Sequence, residues 1–361
     1  MNLKKIATPV ALLTAALTLT ACAANETGTA PTAGSTGSSA AVTLTGQGAS
    51  TQQVAMDAWK AGYQKANPSA TINYSPVGSG TGRKAFIAGA ADWAGSDAPL
   101  SDAELAGAFA KCADGTKPID LPTYVSPIAL VYNVEGVSKL NLNADVTARI
   151  FTGKITKWND AAIAALNPGV TLPDLAITAV HRSDDSGTTE NFTDWLHQVA
   201  PASWPTAKNQ TWPAELKGEA AAKTSGVVAA VKNGKGTIGY ADESQTKGMT
   251  VANVGENGTF AAPTAADAGK VVAAAPLVAG RASGDLALEL DRKASGYPIV
   301  LVSYSIACTQ YKDAATGSAV KSFLTYVTSS EGQQAAVATA GNAPLPSELA
   351  AKVTAAVGAI K

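Results

Sequence analysis

Short apolar runs alternate along the chain with polar, glycine-containing turns, and one arrangement recurs: a strand-length run, a hydroxyl-rich turn, then apolar positions at helical spacing. Residues 42–46 predict an opening strand, Gln47-Gly48-Ala49-Ser50-Thr51 the turn, and Val54, Ala58, Trp59 and Ala61 the helix. Residues 72–75 predict a second strand, and Gly78-Ser79-Gly80-Thr81-Gly82 leads into a helix over 83–87. Further on, residues 175–180 read as a buried strand, 181–190 as a polar turn, and Phe192, Trp195, Leu196 and Val199 as a helix. Between these, 92–100 is a short strand ending in a carboxylate, Asp97, ahead of a proline turn. Ser101 and Glu104 then form a capping box for a helix whose apolar stripe is Leu105, Ala108, Phe109 and Cys112.

Two longer apolar runs, 124–132 and 297–306, have the continuity of central strands, and each carries a proline, Pro127 and Pro298, as at a crossing between lobes. Trp158-Asn159-Asp160 starts a helix stopped by Asn167-Pro168-Gly169. Residues 227–231 predict a short helix, 236–240 a strand, and 321–327 and 347–360 a helical tail. Trp204 and Trp212 lie in a loop-rich stretch and are expected to pack it down rather than hold a ligand. The alternation describes an α/β protein of two lobes with two crossings and a ligand site in the cleft.

What the turns offer is donors. A helix start presents unpaired N–H groups and the positive end of the dipole, and small hydroxyl residues beside a glycine let an anion come close. Arg182 adds a planar fork suited to a tetrahedral oxyanion. The plain alternative for each turn is an ordinary helix cap. Gly78-Ser79-Gly80-Thr81-Gly82 is not a nucleotide phosphate loop, because Arg83-Lys84-Ala85 follows where a lysine and a hydroxyl are required.

The N-terminus stands apart. Met1-Asn2-Leu3-Lys4-Lys5 is cationic, 6–19 is mostly apolar, and Leu19-Thr20-Ala21-Cys22 resembles the lipobox of bacterial lipoproteins. That resemblance makes 1–21 a signal peptide and Cys22 the lipid-bearing first residue, with the body on the extracytoplasmic face of the cell membrane. Residues 22–41, rich in Ala, Gly, Ser and Thr, read as a flexible tether. The formal net charge of the chain is −1, so no basic face for nucleic acid is implied. In an oxidising compartment the two other cysteines, Cys112 and Cys308, are expected to be bridged, two separate buried thiols being the alternative. His181 and His197 lie far from both in sequence, so neither a metal site nor a cofactor is expected.

Five segments match one family in order and spacing: residues 45–50, 78–82, 95–100, 152–158 and 182–188. With them the chain, from Leu44 to about Leu349, resembles the PstS-type phosphate-binding lipoproteins that serve ABC phosphate importers. The resemblance implies a type II periplasmic-binding-protein architecture. Residues 42–126 with 299–361 would form one lobe and 127–298 the other. It implies that Ser50, Thr51 and Ser79 give hydroxyl and N–H groups to inorganic phosphate, and that Asp97 accepts the proton phosphate retains. Arg182 would pair with an oxyanion, Asp184 would hold Arg182, and Ser186, Gly187 and Thr188 would supply helix-start donors. The implied partners are the permease subunits, the ATPase reached through them, and the membrane through the lipid. Two positions depart from the family pattern: Thr51 stands where an aromatic is common, and Asp185 where a glycine is. Asp185 is therefore expected to need a positive φ or a different turn, and to weaken anion binding by its charge.

Asp97 separates the competing readings. Sulfate carries no proton near neutrality, so it would set an acceptor against an acceptor, which argues against a receptor for sulfate or another tetrahedral oxyanion such as molybdate. A serine hydrolase using Ser186 with His181 or His197 lacks the Gly-x-Ser-x-Gly elbow. A purely adhesive lipoprotein would leave the hydroxyl-rich helix starts, Asp97 and Arg182 without a purpose. No enzymatic activity is expected.

Overall fold

The computed structural model describes residues 42–361, so the predicted signal peptide, Cys22 and the tether lie outside the described residues. In chain order β1 (Val42–Gly48), α1 (Gln53–Ala66), β2 (Ala70–Ser75), α2 (Ser79–Ile87), β3 (Trp93–Ser96) and α3 (Asp102–Leu105) precede the long strand β4 (Pro118–Asn133). Then come β5 (Asn141–Leu142), α4 (Ala144–Phe151), α5 (Ala161–Leu166), β6 (Thr178–Arg182), α6 (Gly187–Val199), β7 (Glu219–Ala221), α7 (Lys223–Asn233) and β8 (Thr237–Asp242). Three short strands follow, β9 (Thr250–Val251), β10 (Asn253–Glu256) and β11 (Thr259–Ala261). The chain then runs through α8 (Ala265–Ala274), β12 (Val300–Cys308), α9 (Ala314–Thr328), α10 (Ser330–Ala340) and α11 (Ser347–Gly358).

The main sheet runs β2-β1-β3-β12-β4-β8-β6-β7, with β9 added on β4, and a small sheet holds β11, β10 and β5. β1 is parallel to both β2 and β3. Parallel strands deliver the segments that follow them to one edge, so the turns after β1 and β2 and the carboxylate after β3 emerge side by side. β6 is likewise parallel to β7 and β8.

β4 joins the two halves. Its residues 118–127 pair antiparallel with β12, and its residues 128–133 with β8. The handover falls at Pro127, which has no N–H to give to a ladder. Immediately beyond it, the Ile128 N–H donates to the Ile299 carbonyl at 2.6 Å and the Tyr297 hydroxyl donates to the Ile128 carbonyl at 2.9 Å. The returning segment therefore passes directly beside the outgoing one. Helices cover the sheet with one face each: α1 buries Ala55, Met56, Trp59 and Tyr63, a helical spacing, and each large side chain so buried contributes about 1.5–3 kcal/mol. No helix among the described residues is long and apolar enough to cross a membrane.

Two local expectations are corrected, and a third is decided in favour of one of its alternatives. The capping box at Ser101 and Glu104 forms, but α3 ends at Leu105 instead of carrying a stripe to Cys112. Tertiary contacts override the stripe there: Cys112 is disulfide-bonded to Cys308 and bridges Tyr311, while Phe109 packs on Phe86 at 5.9 Å. The strand expected over 175–180 is β6, shifted toward its C-terminus, because Ala176 pairs with Lys157 and leaves the sheet to begin at Thr178. His181 and Arg182 consequently sit on the strand end and not in the turn. Third, Asp185 has no positive φ; among described non-glycine residues only Lys223 and Asn257 do. The turn before α6 accommodates it by directing its carboxylate to Lys84 Nζ at 2.6 Å and the Thr211 hydroxyl at 2.9 Å. Missed altogether were α4, α8, α10, β7, β9 and the small sheet; α8 and α10 are alanine-rich and the missed strands are very short.

Candidate functional site

Ser50, Thr51, Ser79, Asp97, Arg182 and Thr188 are each no more than 3% exposed, and Asp97 lies at the centre of their contacts. Asp97 leaves β3 at the parallel edge, where its Oδ1 accepts from the Thr51 hydroxyl and from the Ser303 hydroxyl, each at 2.6 Å. Its Oδ2 accepts from the Thr188 hydroxyl at 3.1 Å. The Asp97 N–H donates to Ser79 Oγ at 3.1 Å, and its carbonyl accepts from Asn191 Nδ2 at 2.7 Å. Burial raises the proton affinity of this carboxylate, while the hydroxyls of Ser303 and Thr51, the charge of Arg182 and Thr188 act against it.

From the other half, α6 points its N-terminus at this cluster. Ser186 is the N-cap, its Oγ accepting from the Thr189 N–H at 3.2 Å. Gly187 comes next because nothing larger fits: a Cβ there would stand 2.6 Å from Asp97 Cβ and 2.9 Å from Ser79 Oγ. The start of α6, where N–H groups lack intrahelical acceptors, thus lies close against Asp97 and Ser79.

Arg182, at the end of β6, is gripped by Asp184 through Nε at 2.7 Å and Nη2, and its Nη1 lies 3.4 Å from Thr188 Oγ1. Tyr240 accepts the Arg182 N–H, which fixes the strand end. Burial alone would raise the Asp184 carboxyl, but the Arg182 hydrogen bonds and charge and the Lys223 N–H hold it below its ordinary range. Arg182 therefore offers one free edge of its fork, with its charge largely balanced.

The structure thus brings Thr51, Ser79, Asp97, Arg182, Ser186, Gly187 and Thr188 together, with Asp184 behind Arg182. Ser50 sits at the margin: its Oγ contacts Thr224 Oγ1 at 2.9 Å and accepts the Thr224 N–H at 3.1 Å, linking the turn after β1 to the start of α7. Sequence reasoning missed Thr224, Asn191 and Ser303. Ser303 carried a usable signal, since Ser303 and Ser305 are spaced to share one face of an apolar central strand. Trp204 and Trp212 are buried packing, Trp212 stacking on His181 with ring centroids 4.6 Å apart.

No serine–histidine pair forms among the described residues. Ser186 caps its helix, and the His181 Nδ1–H donates to the Arg182 carbonyl at 3.0 Å. His197 lies eleven residues along α6 from Ser186, about 16 Å of helical rise. No group of three or more His, Cys, Asp or Glu among the described residues is arranged to hold a metal ion.

Comparison with known proteins shows the family. Residues 26–331 match the model of the PBP superfamily domain. Phosphate-binding protein PstS3 of Mycobacterium bovis BCG is 36% identical over an alignment of 376 residues that covers all of both chains. The chain belongs to the PstS family of phosphate-binding proteins. A second PstS relative, PstS 2 of Mycobacterium tuberculosis, is 35% identical over 377 residues, again across both full lengths. Among solved structures, a high affinity periplasmic phosphate-binding protein, PfluDING, bound with phosphate, superposes with a TM-score of 0.69 at 26% identity. That match covers 86% of this chain and 93% of the other. Membership in the PstS family fixes the architecture as the two-lobed α/β periplasmic-binding-protein fold.

Proposed function

We propose that this protein is a lipid-anchored, extracytoplasmic receptor that captures inorganic phosphate between two lobes and hands it to the permease of an ABC importer. The observation that carries the reading is Asp97, an acceptor buried among donors. The Ser79 hydroxyl and the helix-start N–H groups donate to the bare oxygens of a tetrahedral anion, while the hydroxyl hydrogens of Thr51 and Thr188 go to Asp97, whose Oδ2 takes the hydrogen bond that only a protonated anion can give. Arg182, held in orientation by Asp184, supplies a charge-assisted contact through Nη1. The names of the full-length relatives and the phosphate-bound structural neighbour support the same ligand.

In this reading the lobes are 42–126 with 299–361, and 127–298, pivoting where β4 hands over at Pro127 and where residues 297–300 return. The burial of the site supports a pivot, because a dehydrated anion needs the two sides to part before it enters. Anchoring rests on the lipobox-like Leu19-Thr20-Ala21-Cys22. Titration calorimetry on the purified protein tests the ligand: phosphate binds and sulfate competes at least ~10³-fold more weakly. Equal affinity for the two anions would refute the reading.

A further inference from the structure

Asp97 discriminates only while it remains an acceptor, and burial works against that. A carboxylate protonated at its anion-facing oxygen would become a donor, and an unprotonated anion such as sulfate would then fit. The contacts on the far side of Asp97 bear directly on this. Ser303 Oγ donates to Asp97 Oδ1 at 2.6 Å and itself accepts from Gln52 Nε2 at 2.8 Å. The orientation of the Gln52 amide is not free. Its Nε2 also donates to the Tyr304 carbonyl at 3.1 Å, and the reversed amide would set oxygen against oxygen. With the Gln52 amide arriving from one side, the single hydrogen of Ser303 has only Asp97 to go to. Thr51 adds a second hydrogen to the same Oδ1 at 2.6 Å, and two donated hydrogens favour the charged carboxylate over the protonated one. The anion-facing Oδ2 is left as the acceptor.

From this directed chain we infer that Ser303 and Gln52 are selectivity-determining positioning residues, which hold Asp97 in its acceptor form without belonging to the anion-contacting set. The inference rests on the phosphate reading above and deepens it. Gln52 sits at the start of α1 yet makes no cap with its side chain, and its Oε1 is buried without a hydrogen-bond partner among the described residues. Room for it comes from Gly95, where a Cβ would lie 2.6 Å from Gln52 Oε1. A residue serving only to start the helix would be turned outward to cap it.

Three other ionisable groups are coupled to Asp97. Arg182, from β6, favours its charged form. Tyr74, at the end of β2, is pushed well above its ordinary range and stays neutral. Asp242, at the end of β8, is pushed up to about 7, chiefly by burial, so it changes charge in the working range. A pH experiment must therefore separate Asp97 from Asp242.

The test measures the phosphate-to-sulfate affinity ratio of the mature protein by calorimetry from pH 5 to pH 9, each variant read against the unsubstituted chain so that titration of phosphate itself cancels. Ser303→Ala removes a donor from the carboxylate and raises its proton affinity. The pH below which sulfate begins to compete should rise by about one to two units. Ser303→Thr, which keeps the hydroxyl, should restore the profile. Gln52→Met should move it the same way by less, because the Ser303 hydroxyl is then free to turn. All three comparisons are repeated in an Asp242→Asn background, where the displacement should persist. If Ser303→Ala fails to fold, Gln52→Met decides. Normal phosphate preference in the unsubstituted chain with unmoved profiles in both variants overturns the positioning role alone. An unsubstituted chain that binds neither anion, or both alike, overturns the phosphate reading and this inference with it.

Discussion

Replacing Asp97 by asparagine changes one atom, and the surroundings dictate where that atom goes. Oδ1 receives two hydroxyl hydrogens, from Thr51 and Ser303, so the amide oxygen of the substituted side chain must take that place. The new NH₂ then occupies the position of Oδ2, beside Thr188 and the start of α6. An acceptor facing the anion has become a donor. In the unsubstituted protein, sulfate would bury two facing acceptors without a hydrogen between them. A site built around a hydrogen bond rejects the ligand lacking it by about 10⁴-fold, roughly 5.5 kcal/mol. The substitution should remove most of that, bringing sulfate to within about tenfold of phosphate. Phosphate should lose about 1–3 kcal/mol, because its own hydrogen loses the acceptor while the other donors remain. Competition calorimetry at pH 7 and pH 8 reads both quantities at once. Sulfate still rejected by more than ~10³ in Asp97→Asn would show that selectivity resides elsewhere in the cradle.

Arg182→Ala should weaken phosphate binding by about 2–5 kcal/mol, part of it from leaving the half-buried Asp184 without its cation; calorimetry within twofold of the unsubstituted value would remove Arg182 from the site. Lys84 and Asp185 form an ion pair at 2.6 Å across the two halves, with side chains 71% and 32% exposed. Lys84→Met should therefore speed phosphate release by no more than about fivefold and make that rate less dependent on salt, as stopped-flow would reveal. Asp120 is fully buried and pushed up to about 8 by burial and then by the charge of Asp285. The folded chain binds that proton more tightly than the unfolded one, so the contribution is full below about pH 4 and lost as pH rises to about 8. Thermal melts of Asp120→Asn should show a flatter dependence across that window, and an unchanged slope would exclude Asp120 as its source.

The parts of the site readable from the chain are those whose chemistry is local. A hydroxyl turn followed by a helical stripe announces a donor-bearing helix start wherever it occurs, so Thr51, Ser79 and Ser186 to Thr188 could be found one segment at a time. Asp97 was legible as a carboxylate at a strand end. Ser303 was legible only as a polar position on one face of an apolar strand, because its role depends on a partner 206 residues away. Long-range constraint also explains the corrected elements. The Cys112–Cys308 bridge removes Cys112 from the helix its spacing suggested, and the contact between Ala176 and Lys157 delays β6. Asp185 shows the same limit at a single residue: the salt partner that makes it tolerable, Lys84, belongs to another segment.

Because Asp184 pairs with Arg182, the charge of the cradle's arginine is largely balanced within the site and projects little into solution. Encounter with the guest is then left to ordinary diffusion, without long-range steering. Nucleotides and other polyanions gain no local enrichment at the entrance, so discrimination is exercised only after contact, by hydrogens counted one at a time.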